Sequence, residues 1–104
     1  MAQIVATTYW NVTLGRELEF IEINKRAKKI HMRLGASNAM LQRVNVGANA
    51  GQFIYNTVFE SGTAYGKFID AIATDSEWIA LWAEGVAKKM AAPSGNRLGT
   101  LIEI

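Results

Sequence analysis

The sequence holds no cysteine, a single proline and a single histidine among its 104 residues. Without cysteine there is no disulfide frame, no thiolate nucleophile and no cysteine-held zinc, and one histidine is too few for a histidine-rich metal site. No metal is therefore expected, and the lack of thiols fits a reducing compartment. The first residues, MAQIVATTYW, lack the basic and apolar regions of a secretory signal. No apolar run approaches the roughly 20 residues that span a bilayer. The expectation is a cytoplasmic protein with no membrane partner. Large charge of either sign is missing too: eleven basic residues against nine acidic ones leave +2, too little for the broad basic face that phosphate backbones require. Nucleic acid is not an expected partner.

What is present is apolar. Half the residues are hydrophobic and 19% are charged, which places the chain among globular proteins, with one modest core and hence a single domain over 1–104. Residues 3–12, QIVATTYWNV, are β-branched and aromatic on both alternating faces and read as a strand covered on both sides. Over 16–34, Phe20, Ile23, Ala27, Ile30 and Leu34 recur at spacings of three and four and predict an amphipathic helix. Its acids Glu17, Glu19 and Glu22 come early and its bases Lys25, Arg26, Lys28, Lys29 and Arg33 come late, the order the helix dipole favours. Gly35 is the expected left-handed stop.

Residues 39–60 read as a hairpin, AMLQRVNVG and QFIYNTVFE joined by ANAG. SGT at 61–63 supplies turn and cap residues for a second helical region. There Tyr65, Phe68, Ile69 and Ile72 form a stripe, and Asp75 in TDSEW predicts a break with a fresh N-cap before a helix running to about Met90. AAPSGNRLG, 91–99, contains the proline and reads as a loop; TLIEI, 100–104, reads as a short last strand.

The order strand, helix, strand, strand, helix, strand describes an α+β domain of the ferredoxin-like βαββαβ type, with a four-stranded antiparallel sheet and the helices on one face. Apolar residues occur at both strand parities, so the other sheet face needs a cover. A second copy meeting it across a two-fold axis is the simplest, giving a homodimer through the sheet faces.

With LGRELEFIEINKRAKKIHMRLGA through the first helix, VNVGANAGQFIYNTVFES across the hairpin and AYGKFIDAIATDSEW in the second helical region, the chain resembles the dimeric α/β-barrel superfamily, and most of all its NIPSNAP-like branch. The similarity runs over nearly the whole chain. It implies the fold and the dimer more than a reaction, because the superfamily includes cofactor-independent monooxygenases, haem-degrading enzymes, polyketide cyclases and small-ring isomerases. In several of these the pocket lies within each subunit, between helices and sheet. The haem-degrading pattern does not carry over. Its strand-one asparagine, seven residues before the glycine ahead of the first helix, falls here on Thr8, with Asn11 nearby at the opposite parity. Its haem-ligating histidine falls on Trp82, whose indole nitrogen is a donor only. No cofactor is expected.

His31 flanks the buried stripe of the first helix, and two readings stand: a packed residue near a helix C-terminus, or a catalytic acid/base in a small-molecule pocket. Thr8, Trp10, Trp78 and Trp82 are the candidate pocket residues, against the alternative that such aromatics are core or dimer interface. The basic residues around His31 read as a solvated helix end, with Glu22 placed to pair with Arg26. Gln42, Asn45 and Asn56 sit in predicted strands, where they meet solvent or a hydrogen-bond partner, and Arg43 is placed either to cross a dimer or to be solvated. One histidine and scattered acids give no convincing Ser-His-Asp set, and GANAG lacks the lysine of a phosphate loop. The resulting expectation is a homodimer binding a small apolar or aromatic molecule between helices and sheet. Two alternatives stand beside it: a cofactor-independent monooxygenase or cyclase/isomerase using His31 as acid/base, and a non-catalytic dimerisation scaffold.

Overall fold

In the computed structural model, which describes residues 2–104, the chain runs β1 (Ile4–Val12), α1 (Glu17–Arg33), β2 (Asn38–Arg43), β3 (Phe53–Phe59), α2 (Gly62–Ile72), α3 (Ser76–Lys88) and β4 (Ala91–Thr100). The four strands form one antiparallel sheet in the order β2-β3-β1-β4. This is the ferredoxin-like βαββαβ arrangement, the second helix being divided in two. No helix among the described residues is long and apolar enough to cross a membrane.

Period-two alternation decides which side chains meet the helices. Along β3, Phe53, Tyr55, Thr57 and Phe59 are buried while Ile54, Asn56 and Val58 are half-buried. The register sets Ile4, Ala6, Thr8 and Trp10 of β1 opposite the buried four, so these eight share the helix-covered face. Phe53 packs with Phe20 of α1 and with Met90; Phe59 packs with Phe68 of α2 and with Ala36; between them Ala27 and Ile30 of α1 meet Leu81 of α3. The opposite sheet face has no helix. It presents Val5, Tyr9, Met40, Ile54 and Val58, together with a half-buried hydrogen bond in which the Thr7 hydroxyl donates to Asn56 at 2.6 Å.

The helix ends follow local chemistry. Gly35, at φ +118°, ends α1: its N–H reaches the Met32 carbonyl at 3.3 Å and the Ala36 N–H reaches that of His31 at 3.0 Å, satisfying carbonyls that the last turn leaves free. Ser61 caps α2 and Asp75 caps α3, the Asp75 carboxylate accepting the Trp78 N–H at 2.9 Å. The expected break is thus present.

Two expectations are corrected. The segment 91–99 is not a loop but most of β4, and TLIEI forms no strand beyond Thr100. Composition misleads here because β4 is an edge strand, where Pro93 forfeits no essential ladder bond. The register with β1 also shifts between Tyr9 and Trp10, which lie opposite Gly95 and Pro93, so Ser94 is accommodated as a bulge. The hairpin strands are shorter than their apolar pattern suggested, and Asn45 lies in the connection 44–52 rather than in a strand.

Gly35→Ala is expected to lower stability by roughly 1–2 kcal/mol, since the position requires a positive φ. Gly66→Ala, inside α2 with nothing within 4 Å of the added carbon, is expected to raise it by up to about 1 kcal/mol. Urea unfolding midpoints of the two variants check both signs.

Candidate functional site

Between the helix layer and the sheet lies a cavity of about 430 Å³. Alternate residues of β1 and β3 give its floor, Thr8, Trp10, Tyr55 and Thr57; α1 contributes Asn24, Ala27 and His31 at spacings of three and four; Phe68 of α2 and Trp78 and Trp82 of α3 close the sides. All five residues singled out from the sequence, His31, Thr8, Trp10, Trp78 and Trp82, line this one space. Asn11, of the other parity, accepts a hydrogen bond from Gln52 at 2.9 Å and lies away from it.

Sequence reasoning did not select Tyr55, Thr57 or Asn24. Tyr55 and Thr57 alternate with Phe53 and Phe59 in β3, so parity was the available signal once β3 was known to face the helices. Asn24 falls within the α1 stripe. Its amide nitrogen donates to the Phe20 carbonyl at 2.7 Å, which leaves the side-chain oxygen available as an acceptor.

His31 is 6% exposed, packed by Trp78, Tyr55 and Phe68 with ring centroids 4.6, 5.4 and 5.5 Å away. Its Nδ1 lies 2.7 Å from the Tyr55 hydroxyl. Burial disfavours the imidazolium and pulls the His31 pKa down to about 4; the same desolvation raises the Tyr55 phenol above its ordinary value. Both groups are therefore neutral at pH 7. The arrangement that uses the phenol's one proton has Tyr55 donating to Nδ1, which puts the ring proton on Nε2. The open cavity thus offers mainly apolar, aromatic walls with a few polar groups: Nε2–H as donor, the Asn24 oxygen as acceptor, and the hydroxyls of Thr8 and Thr57. A base of pKa near 4 is poorly matched to proton abstraction at neutral pH, whereas a neutral imidazole is a good hydrogen-bond donor.

The charges that surround His31 in the sequence do not enter the cavity. Arg26 makes two bonds to Glu84, at 2.7 and 3.0 Å, and Arg33 bonds Asp75 at 2.8 Å and Glu77 at 3.0 Å, so the two arginines tie α1 to α3. Glu22 pairs with Lys25 at 2.8 Å, not with Arg26 as expected, because the stronger bidentate partner comes from α3. Arg43 lies over the Phe53 ring at 4.9 Å. Among the described residues, no three His, Asp or Glu side chains converge as metal ligands.

The pKa of His31 makes stability depend on pH. The unfolded chain takes up the proton near 6.5 and the folded chain only near 4, so stability is complete above 6.5 and is lost as pH falls toward 4, by about 3 kcal/mol in all. The carboxylates of Glu19, Asp75 and Glu84, held low by hydrogen bonds from Arg16, Arg33 and Arg26 respectively, begin to weaken the fold only below about pH 5.5, as the unfolded chain starts to protonate them. Because the chain has one histidine, the interval from pH 6.5 to about 5.5 reports His31 with little contribution from the carboxylates. Urea titrations are expected to show a falling midpoint across that interval in the parent chain and a flat one in His31→Gln.

No protein-family model and no curated protein matches the chain. Solved structures do. A NIPSNAP family protein from Agrobacterium tumefaciens superposes with a TM-score of 0.76 at 16% identity, covering 97% of this chain and 87% of that one. SnoaB from Streptomyces nogalater, a cofactor-independent oxygenase, gives 0.73 at 14% identity, covering 100% and 97%. A dimeric ferredoxin-like protein from an uncultured marine organism gives 0.63 at 12% identity, covering 100% and 99%. Identities this low carry the fold. The chain has the ferredoxin-like fold, and its structural neighbours include NIPSNAP family proteins, the branch its sequence resembles.

Proposed function

We propose that this chain, as a single cytoplasmic domain, binds a small, largely apolar or aromatic molecule in the cavity between its helices and sheet, and that it does so as a homodimer without a cofactor. The observation that carries the reading is the cavity itself. Its volume, about 430 Å³, falls within the range of small-molecule sites, and its apolar walls with a few convergent polar groups fit such a ligand. Binding rather than catalysis is favoured by the low pKa of His31.

The second reading, a cofactor-independent oxygenase or a cyclase/isomerase with His31 as acid/base, is favoured by the likeness to SnoaB. It requires a ligand that restores the imidazole's basicity. A bare dimerisation scaffold is the remaining alternative. The dimer is supported by the sheet face that no helix covers and by the dimeric state of one structural neighbour.

Thermal-shift measurements with small aromatic and quinone-like compounds test the binding. A ligand at 100 times its Kd stabilises the folded chain by about 2.7 kcal/mol. The double variant His31→Phe/Tyr55→Phe keeps both rings but removes the polar pair; carbonyl-bearing ligands are expected to lose about tenfold in affinity and hydrocarbons very little. A panel that leaves the unfolding temperature unchanged overturns the reading and leaves the scaffold. For the dimer, light scattering is expected to give twice the chain mass, and Ile54→Lys, on the open sheet face, is expected to halve it.

A further inference from the structure

A second, smaller cavity of about 110 Å³ adjoins the first. It lies under the C-terminal half of α3, closed by Gly85, Val86, Met90 and Pro93, and it is almost wholly apolar. Trp10, Trp78 and Trp82 belong to the walls of both spaces. Two of these rings are held: Trp10 stands on a central strand against Phe20, with centroids 5.6 Å apart, and Trp78 packs at a tilt against His31, with centroids 4.6 Å apart. Trp82 differs. It sits between the other two, 6.0 Å from Trp10 and 5.7 Å from Trp78, and it is 45% exposed. Changing its rotamer therefore sacrifices less packing than moving either of the other two, which are more deeply buried.

We propose that the two cavities form one bipartite ligand site in which Trp82 is the movable partition and thus the residue that sets ligand length. An occupant places its ring in the larger chamber and passes a short apolar arm beside Trp82 into the smaller one. An apolar cavity of about 150 Å³ takes a benzene, so the smaller chamber accepts a short alkyl chain but not a second ring. Gly85 keeps that chamber open: a methyl group there stands 3.2 Å from Cδ1 of Ile23, the free end of a flexible side chain, and fills part of the space without blocking the fold.

This inference rests on the proposed ligand binding, and the test separates the two. The probes are phenol and its 4-methyl, 4-ethyl, 4-propyl and 4-butyl derivatives, with affinity read by calorimetry. The parent chain is expected to gain about fourfold in affinity per methylene as the arm fills the small chamber, and then to level off. Gly85→Ala is expected to bind phenol as the parent does and to lose the gain from the arm. Trp82→Ala is expected to move the levelling point to longer arms. If phenol binds but Gly85→Ala keeps the parent's full dependence on arm length, the bipartite site is wrong and the single-chamber reading stands. If no member of the series binds, the binding reading falls and this inference with it.

Discussion

The alternation along β3 is the constraint on which the rest of the molecule depends. Four consecutive helix-facing positions hold Phe53, Tyr55, Thr57 and Phe59, and the two phenylalanines anchor separate clusters at the two ends of the strand, each contributing on the order of 2 kcal/mol by burial. Between these anchors the strand carries a phenol and a hydroxyl instead of larger hydrocarbons. α1 and α2 are thus held firmly at either end and stand over a middle that side chains do not fill. A one-residue slip of β3 would turn both anchors to the open face and close the site with it.

Buried polarity is kept within bounds by pairing. His31 Nδ1 and the Tyr55 hydroxyl are paired by one hydrogen bond at 2.7 Å, and no fully buried side-chain nitrogen or oxygen among the described residues lacks a partner. The fully charged groups stay outside, where Arg26 and Arg33 join α1 to α3 across a solvated seam. Such exposed pairs contribute modestly to stability. They lie along the outer edge of the apolar contact between α1 and α3, the helix that carries Trp78 and Trp82.

How much of this was legible follows from how local each feature is. α1, its glycine stop and the Asp75 cap were readable because stripe, dipole order and cap lie within a few residues of one another. β4 was not, because Pro93, Ser94 and Gly95 look like a loop until β1 supplies a partner and a bulge. The partner of Arg26 was misread for a similar reason: Glu22 is four residues away, while Glu84 is 58. The site was legible in its aromatic members and in His31, which stood out by rarity or size. Thr57 and Asn24 were hidden, since their importance depends on strand parity and helix phase meeting in space. The resemblance to a known superfamily supplied the pocket's place between helices and sheet, which periodicity alone does not give.

The short interruption between α2 and α3 has a consequence for shape. An unbroken helix from Gly62 to Lys88 would run about 40 Å in a straight line, and a rod of that length touches a twisted sheet only tangentially. Divided at Asp75, the same residues become two short chords of an arc. Phe68 on one and Trp78 on the other then converge on His31 from different directions. Concavity in this molecule therefore depends on the bend in the backbone at the Asp75 cap as well as on the modest side chains at the middle of β3.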